Sequence, residues 1–200
     1  MRSCRQVAAF LAVLLLSGAM PAMAQKPIRV QIVIEGRGTV LMEVYPADAP
    51  KTVAHFLDLC RQKFYDGILV HRVEPGFVVQ AGDPTTKKLR PRELATMSEQ
   101  KKMELRIGAG GSGKTIPFER NNRTHVPGTV AMALSAPRSD TGDSQWFINL
   151  ESNHQLDGDY CVFGKVVKGM DVVRRIRVGD RIASMRVMQS APAPKRSKKP

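Results

Sequence analysis

Alternating apolar residues mark the start of the regularly patterned part of the chain, from Ile28 to Ile34. A short glycine-containing turn follows at residues 35–38, and a second apolar run covers residues 39–44. A period of two is typical of a β-strand with one buried face, and two such runs around a short turn indicate a hairpin. We therefore predict that the domain begins with a β-hairpin.

Further short strands are predicted along the rest of the chain, where apolar runs are punctuated by Gly and Pro. The first of these segments reads as two short strands around a Pro-Gly turn. The predicted segments are residues 70–80, 126–134, 145–150, 160–167 and 182–188.

Helical spacing of apolar residues is found in three segments. These are residues 52–63, residues 91–103 and residues 170–177. Thr52 is a candidate N-cap of the first, and the second lies within a long polar stretch. Many short strands with few helices favour a mainly β fold, a closed antiparallel β-barrel capped by two helices. Residues 84–107 are predicted to form a long inserted loop.

The first 24 residues follow a different pattern. Arg2 and Arg5 precede an apolar run at residues 7–16, and small residues end at Ala24, as in a signal peptide cleaved at that point. The run is well short of the roughly 20 apolar residues that span a bilayer. Cys4 lies in the basic start, so a lipid anchor is not expected. We predict an exported, periplasmic protein, with secretion into the medium left open.

Removal of this segment leaves one domain, residues 25–189, and a basic tail, residues 190–200. The tail is rich in Lys, Pro and Ala without apolar periodicity, so we expect it to be disordered. Because the whole chain carries a formal net charge of +13, the tail and the inserted loop are candidates for weak attachment to an anionic envelope surface. A merely solvated surface is the alternative. A monomer without specific nucleic-acid binding is expected.

Several kinds of chemistry find little support in the sequence. Cys60 and Cys161 remain after export, which is too few for a disulfide framework, and we expect separately buried thiols. The four histidines lack metal-ligand spacing, so we expect no metal and no cofactor.

Residues 108–115 match the phosphate-loop pattern, but neither a buried strand before them nor a helix after them is predicted. We interpret them as a flexible surface loop.

Four blocks of sequence resemble the motifs of the cyclophilin family, in the family's order. The first includes His71-Arg72-Val73 and Phe77-Val78-Val79-Gln80, and the others cover residues 127–133, 144–149 and 156–166. With the hairpin before them, the resemblance covers nearly all of residues 28–188. It implies a cyclophilin-like barrel and a peptidyl-prolyl cis/trans isomerase that acts on proline-containing unfolded chains or peptides, close to the exported bacterial members.

The resemblance also implies roles for individual residues. Arg72 matches the catalytic arginine, and ten further positions match substrate-binding positions of the family, with Met132 expected behind the apolar pocket. These ten are Phe77, Val78, Gln80, Met132, Ala133, Leu134, Gln145, Phe147, Leu156 and Tyr160.

This chain departs from the family pattern at several places. Gln155 and Tyr160 stand where eukaryotic members have tryptophan and histidine, so only weak cyclosporin binding is expected. Leu134 stands where asparagine is common, and residues 84–107 are longer than the corresponding loop of bacterial relatives. A non-enzymatic basic binding module on the same scaffold is the alternative function. The presence of Arg72 together with the whole pocket argues against it.

Overall fold

The computed structural model describes residues 25–188, so the predicted signal peptide and the basic tail lie outside the described residues. Eight strands form one antiparallel sheet in the order β3-β4-β6-β5-β7-β2-β1-β8. The strands are β1 (Ile28–Ile34), β2 (Gly38–Val44), β3 (Arg72–Glu74), β4 (Val78–Ala81), β5 (Thr129–Met132), β6 (Trp146–Asn149), β7 (Val162–Lys168) and β8 (Ile182–Val187).

The two ends of this sheet are joined by backbone hydrogen bonds between the segment before β3 and the start of β8. Val70 N donates to Asp180 O at 2.8 Å, and Ile182 N donates to Ile68 O at 2.9 Å. The sheet therefore curls back on itself, and the predicted mainly β, antiparallel barrel architecture is confirmed.

The inside of the barrel is filled by alternate residues of the strands. In β1, Val30, Ile32 and Ile34 are almost fully buried, while Gln31 and Val33 between them are partly exposed. Phe56 and Phe163 pack in the same core with ring centroids 5.0 Å apart. The period of two seen in the sequence is therefore the period of burial in this hairpin.

Four α-helices lie within residues 25–188, and none of them is long and apolar enough to cross a bilayer. The first begins at Pro50 rather than behind Thr52, so the prediction that Thr52 is the N-cap is wrong. The carboxylate of Glu119 accepts hydrogen bonds from Lys51 N and Thr52 N, at 2.9 and 2.7 Å, and satisfies these free amides instead. The helices are α1 (Pro50–Arg61), α2 (Pro91–Ala95), α3 (Glu99–Glu104) and α4 (Met170–Arg175).

The inserted segment, residues 84–107, is more structured than a loop. It begins with a 3-10 turn (Pro84–Lys88), and α2 and α3 replace the single helix predicted for residues 91–103. The chain leaves helical geometry after Thr96, and the Ser98 side chain accepts a hydrogen bond from Lys101 N at 3.2 Å, which starts a new helix.

Candidate active site

A second, smaller apolar cluster lies on the outer face of the barrel. In β4 and β6, Val79 and Ile148 point into the main core, so their neighbours Val78 and Phe147 point outward. Partly buried residues cover this cluster from outside the sheet. The cluster consists of Val78, Ala131, Phe147 and Val162, packed against Phe77, Ala133, Leu156 and Tyr160.

An open cavity of about 250 Å³ lies over this cluster and Arg72 stands beside it. Its lining contains Arg72 and eight of the ten residues expected to bind substrate. The lining residues are Arg72, Phe77, Val78, Gln80, Ala133, Leu134, Phe147, Leu156 and Tyr160. We call this space the outer cavity.

The two remaining expected residues lie elsewhere. Met132 is buried in the main core, on the face of β5 opposite to Ala131, and does not line the outer cavity. Gln145 lines a neighbouring cavity of about 370 Å³ and reaches the outer cavity through a hydrogen bond to Gln80. The structure thus brings Gln145 to the edge of the site and separates Met132 from it.

A directed chain of hydrogen bonds leads from Arg72 to residues 108–115, which we call the Gly-rich loop. Arg72 Nη1 donates to Gln80 Oε1 at 3.3 Å, and Gln80 Nε2 donates to Gln145 Oε1 at 3.0 Å. Gln145 Nε2 donates to Gly108 O and Gly110 O at 2.9 and 2.8 Å. Because carbonyl oxygens only accept, both amide groups must have this orientation, and Gln80 must offer its oxygen to Arg72.

The Arg72 side chain remains accessible, with 43% of its surface exposed. Its guanidinium carbon lies 5.6 Å from the centroid of the Phe77 ring, and its Nε lies 3.6 Å from Glu74 Oε1. A guanidinium has five N–H donors, and its contact with Gln80 uses only part of this capacity. Donors therefore remain for a molecule in the outer cavity.

Two carboxylates bind the Gly-rich loop, which lies at the surface as the sequence predicts. Asp83 accepts a hydrogen bond from Gly108 N at 2.6 Å. Asp143 accepts hydrogen bonds from Ser112 N and Gly113 N at 3.0 and 3.1 Å. These amides are the donors that a phosphate would need, and no helix follows them in the structure. The phosphate-loop pattern is coincidental here.

His125 is a structural part of the site that sequence reasoning missed. It is fully buried, and its ring stacks on Phe147 with centroids 5.8 Å apart. Nε2 lies 3.2 Å from Tyr160 O and Nδ1 lies 3.1 Å from Asn149 Nδ2. Burial is the main cause that lowers the pKa of His125, so a neutral ring donates from Nε2 and accepts at Nδ1. Nothing in the adjacent sequence signals this contact with Phe147.

Cys60 and Cys161 are free and buried, as expected. Burial raises the pKa of each thiol to about 12, so both thiols are protonated and inert as nucleophiles at neutral pH. Within residues 25–188, no group of three or more His, Cys, Asp or Glu side chains could hold a metal ion.

Comparison with known proteins gives consistent matches. The family model described as cyclophilin type peptidyl-prolyl cis-trans isomerase/CLD matches residues 29–193. A peptidyl-prolyl cis-trans isomerase of Synechococcus elongatus is 37% identical over 157 residues, which cover 78% of this chain and 93% of that protein. Peptidyl-prolyl cis-trans isomerase B of Bacillus subtilis is 35% identical over 154 residues, covering 77% and 94%.

Solved structures have the same fold. A cyclophilin type peptidyl-prolyl cis-trans isomerase of Cryptosporidium parvum superposes with a TM-score of 0.67 at 22% identity, covering 83% of this chain and 100% of that chain. A structure of the same protein in the presence of the dipeptide Ala-Pro gives a TM-score of 0.64 at 23% identity, covering 81% and 99%. From the family match and the identities over most of each sequence, this chain belongs to the cyclophilin-type peptidyl-prolyl cis/trans isomerase family.

Proposed function

We propose that this protein accelerates rotation about X-Pro bonds and that Arg72 is its catalytic residue. The observation that carries the proposal is the position of the Arg72 guanidinium. It stands beside an open cavity with an apolar base and is oriented by Gln80 from the neighbouring strand.

The reaction needs a group that favours the twisted peptide bond. A planar amide has partial double-bond character, and its rotation barrier is about 18–20 kcal/mol. Rotation breaks the conjugation and leaves a lone pair on the proline nitrogen, which then becomes a hydrogen-bond acceptor. A donor that reaches this nitrogen only in the twisted state lowers the barrier without tightening the ground state.

Arg72 has the properties that such a donor needs. Its guanidinium has several N–H groups in fixed directions. Gln80 accepts from Nη1, and Gln145 in turn fixes the Gln80 amide, so this orientation exists before a substrate binds. Preorganisation of this kind avoids the cost of ordering the donor during the reaction.

The apolar side of the outer cavity would hold the proline ring while the preceding carbonyl group swings. Phe147 forms its buried base, with 5% of its surface exposed, and Leu156 and Tyr160 border it. The related structure determined in the presence of Ala-Pro supports the choice of ligand. Proline-containing segments of unfolded chains are therefore the proposed substrates.

We further propose that the substrates are exported chains and that the protein acts in the periplasm. This rests on the signal-peptide pattern of residues 1–24. Fractionation of the native host with N-terminal sequencing provides the test. A mature protein that begins at Gln25 in the periplasmic fraction is expected, and a cytoplasmic protein that begins at Met1 would contradict it.

A weak attachment to anionic envelope surfaces is a separate proposal. Cations of the inserted segment, among them Lys87, Lys88 and Arg90, would act with the basic tail, because each cation near an anionic surface gains about 1 kcal/mol. Removal of residues 190–200 should weaken cosedimentation with anionic vesicles at low salt and leave peptide isomerisation unchanged. Equal binding by the intact and truncated proteins would exclude a role for the tail.

A protease-coupled assay with a proline peptide tests the main proposal. The protein should accelerate the slow phase that reports cis-to-trans conversion, and R72A should abolish most of the acceleration. A purely binding scaffold would leave the slow phase unchanged, so this result would favour the non-enzymatic alternative. A scaffold of that kind would also have no need for the oriented chain from Arg72 to Gln145.

A further inference from the structure

A third cavity, of about 470 Å³, adjoins the outer cavity and shares Arg72 and Gln80 with it. Part of its wall comes from the inserted segment, through Lys102, Met103 and Ile107. We call this space the side groove. The side groove is therefore bordered both by the β3–β4 hairpin, through Arg72, Val73, Glu74 and Gln80, and by the inserted segment.

Charges in the side groove are balanced. Lys102 Nζ lies 2.7 Å from Glu99 Oε1, and Arg72 Nε lies 3.6 Å from Glu74 Oε1. His71 also lines the groove, and burial lowers its pKa to about 4, so it is neutral near pH 7. The groove therefore has no excess charge that would select an acidic or a basic ligand.

Four apolar side chains line the groove, although most of its accessible surface is polar. Val73, Ile107 and Val178 are half-buried along the groove. Met103 is 71% exposed, on a helix that buries none of its residues. An unbranched thioether side chain of this kind adapts its shape to different apolar partners. Its exposure at this place is explained if it contacts a ligand.

We propose that the side groove binds a large apolar side chain of the substrate, close to the proline that occupies the outer cavity. This inference rests on the proposed function, because the occupant is the same peptide chain. Two or three extended residues span roughly 7–10 Å, which lets one segment occupy both sides of the Arg72 guanidinium. The enzyme would then prefer proline sites with a nearby Leu, Met or Phe.

A set of single-proline peptides tests this preference. Each peptide has one leucine at a different position, up to three residues before or after the proline, and alanine elsewhere. We expect one or two leucine positions to raise kcat/KM about three- to tenfold over the all-alanine peptide, mainly through KM.

Two matched variants locate the effect. M103S should remove the leucine preference and keep the activity on the all-alanine peptide. L105S is the control, because Leu105 is also exposed, at 41%, but does not line the side groove. Both sites are on the surface, so both variants should fold, which thermal denaturation verifies.

The outcomes separate the two proposals. If no leucine preference is found, or if it survives in M103S, the proposed role of the side groove is wrong. Activity on the all-alanine peptide would still support the isomerase function. Absence of acceleration for every peptide would overturn the proposed function itself. A change of oligomeric state in M103S, without a change of peptide preference, would assign the groove to self-association and overturn its role in substrate binding.

Discussion

Arg72 and Gln80 face each other across the β3–β4 hairpin, and Arg72 Nη1 donates to Gln80 Oε1 at 3.3 Å. The pairing follows from the strand register, which places both side chains on the outer face of the barrel beside the apolar cluster. A residue expected to catalyse the reaction is therefore oriented by its cross-strand partner.

Replacement of Arg72 should affect catalysis far more than binding. We expect R72A to lower kcat/KM at least about a hundredfold, with little change in peptide affinity, because the lost contact belongs mainly to the twisted state. R72K keeps the charge but lacks the planar guanidinium fork, so it should retain only a small part of the kcat/KM of the unaltered protein. Equal losses of affinity and kcat/KM would contradict the assignment.

Replacement of Phe147 should affect both binding and stability. Its ring packs between His125 and Tyr160, with centroid distances of 5.8 and 5.9 Å. F147A should cost roughly 3–5 kcal/mol of unfolding free energy, measured by urea denaturation, and raise KM for proline peptides. A stable variant with full activity would show that Phe147 does not contribute to substrate binding.

Acid should destabilise the fold through its buried histidines. The pKa of His71 is lowered to about 4, and that of His125 is also lowered, mainly because burial disfavours the charged ring. Below about pH 6.5 the unfolded chain binds protons that the folded chain does not, so stability falls as the pH falls. For His71 alone the loss is about 2 kcal/mol between about pH 7.5 and about pH 5.

Urea midpoints at these two pH values measure this loss. H71Q should reduce the difference between the two midpoints. The carboxylates with lowered pKa, Asp66 and Asp157, contribute stability that is lost only at lower pH. An identical pH dependence of the H71Q variant and the unaltered protein would contradict this prediction.

Cyclosporin should inhibit weakly. Gln155 is exposed and lacks the indole N–H and broad apolar face of a tryptophan at this position. We expect Q155W to lower the inhibition constant measured in the proline-peptide assay, with kcat/KM changed little. Tight inhibition of the unaltered protein would show that other residues supply the missing contacts.

The predicted strands agree well with the structure where one face of a strand is buried and the other is not. The hairpin of β1 and β2 is the clearest example, because its alternation in sequence is its alternation in burial. In β5 and β6 all residues are buried, so the sequence has no polar positions that distinguish the two faces. Only the structure shows that Ala131 faces the outer cavity and that Met132 lies on the opposite face, in the main core.

The helix boundaries depended on contacts that are distant in sequence. Glu119 satisfies the first amides of α1 from 68 residues along the chain, so no local cap was needed or visible. Local propensity alone favoured one helix over residues 91–103, but Ser98 begins a new one. The contacts of Asp83 and Asp143 with the Gly-rich loop likewise join residues that are distant in the sequence, so they depend on the tertiary fold.

By itself, the sequence determined the period of two, the strand and turn segments, and the order of motifs around Arg72, because these depend on neighbouring residues and on resemblance. Only the tertiary structure decided which residues meet: the chain from Arg72 through Gln80 to Gln145, the ring of His125 under Phe147, and the side groove beside the inserted segment. Register and curvature of the sheet bring these residues together, and both depend on the packing of the whole core.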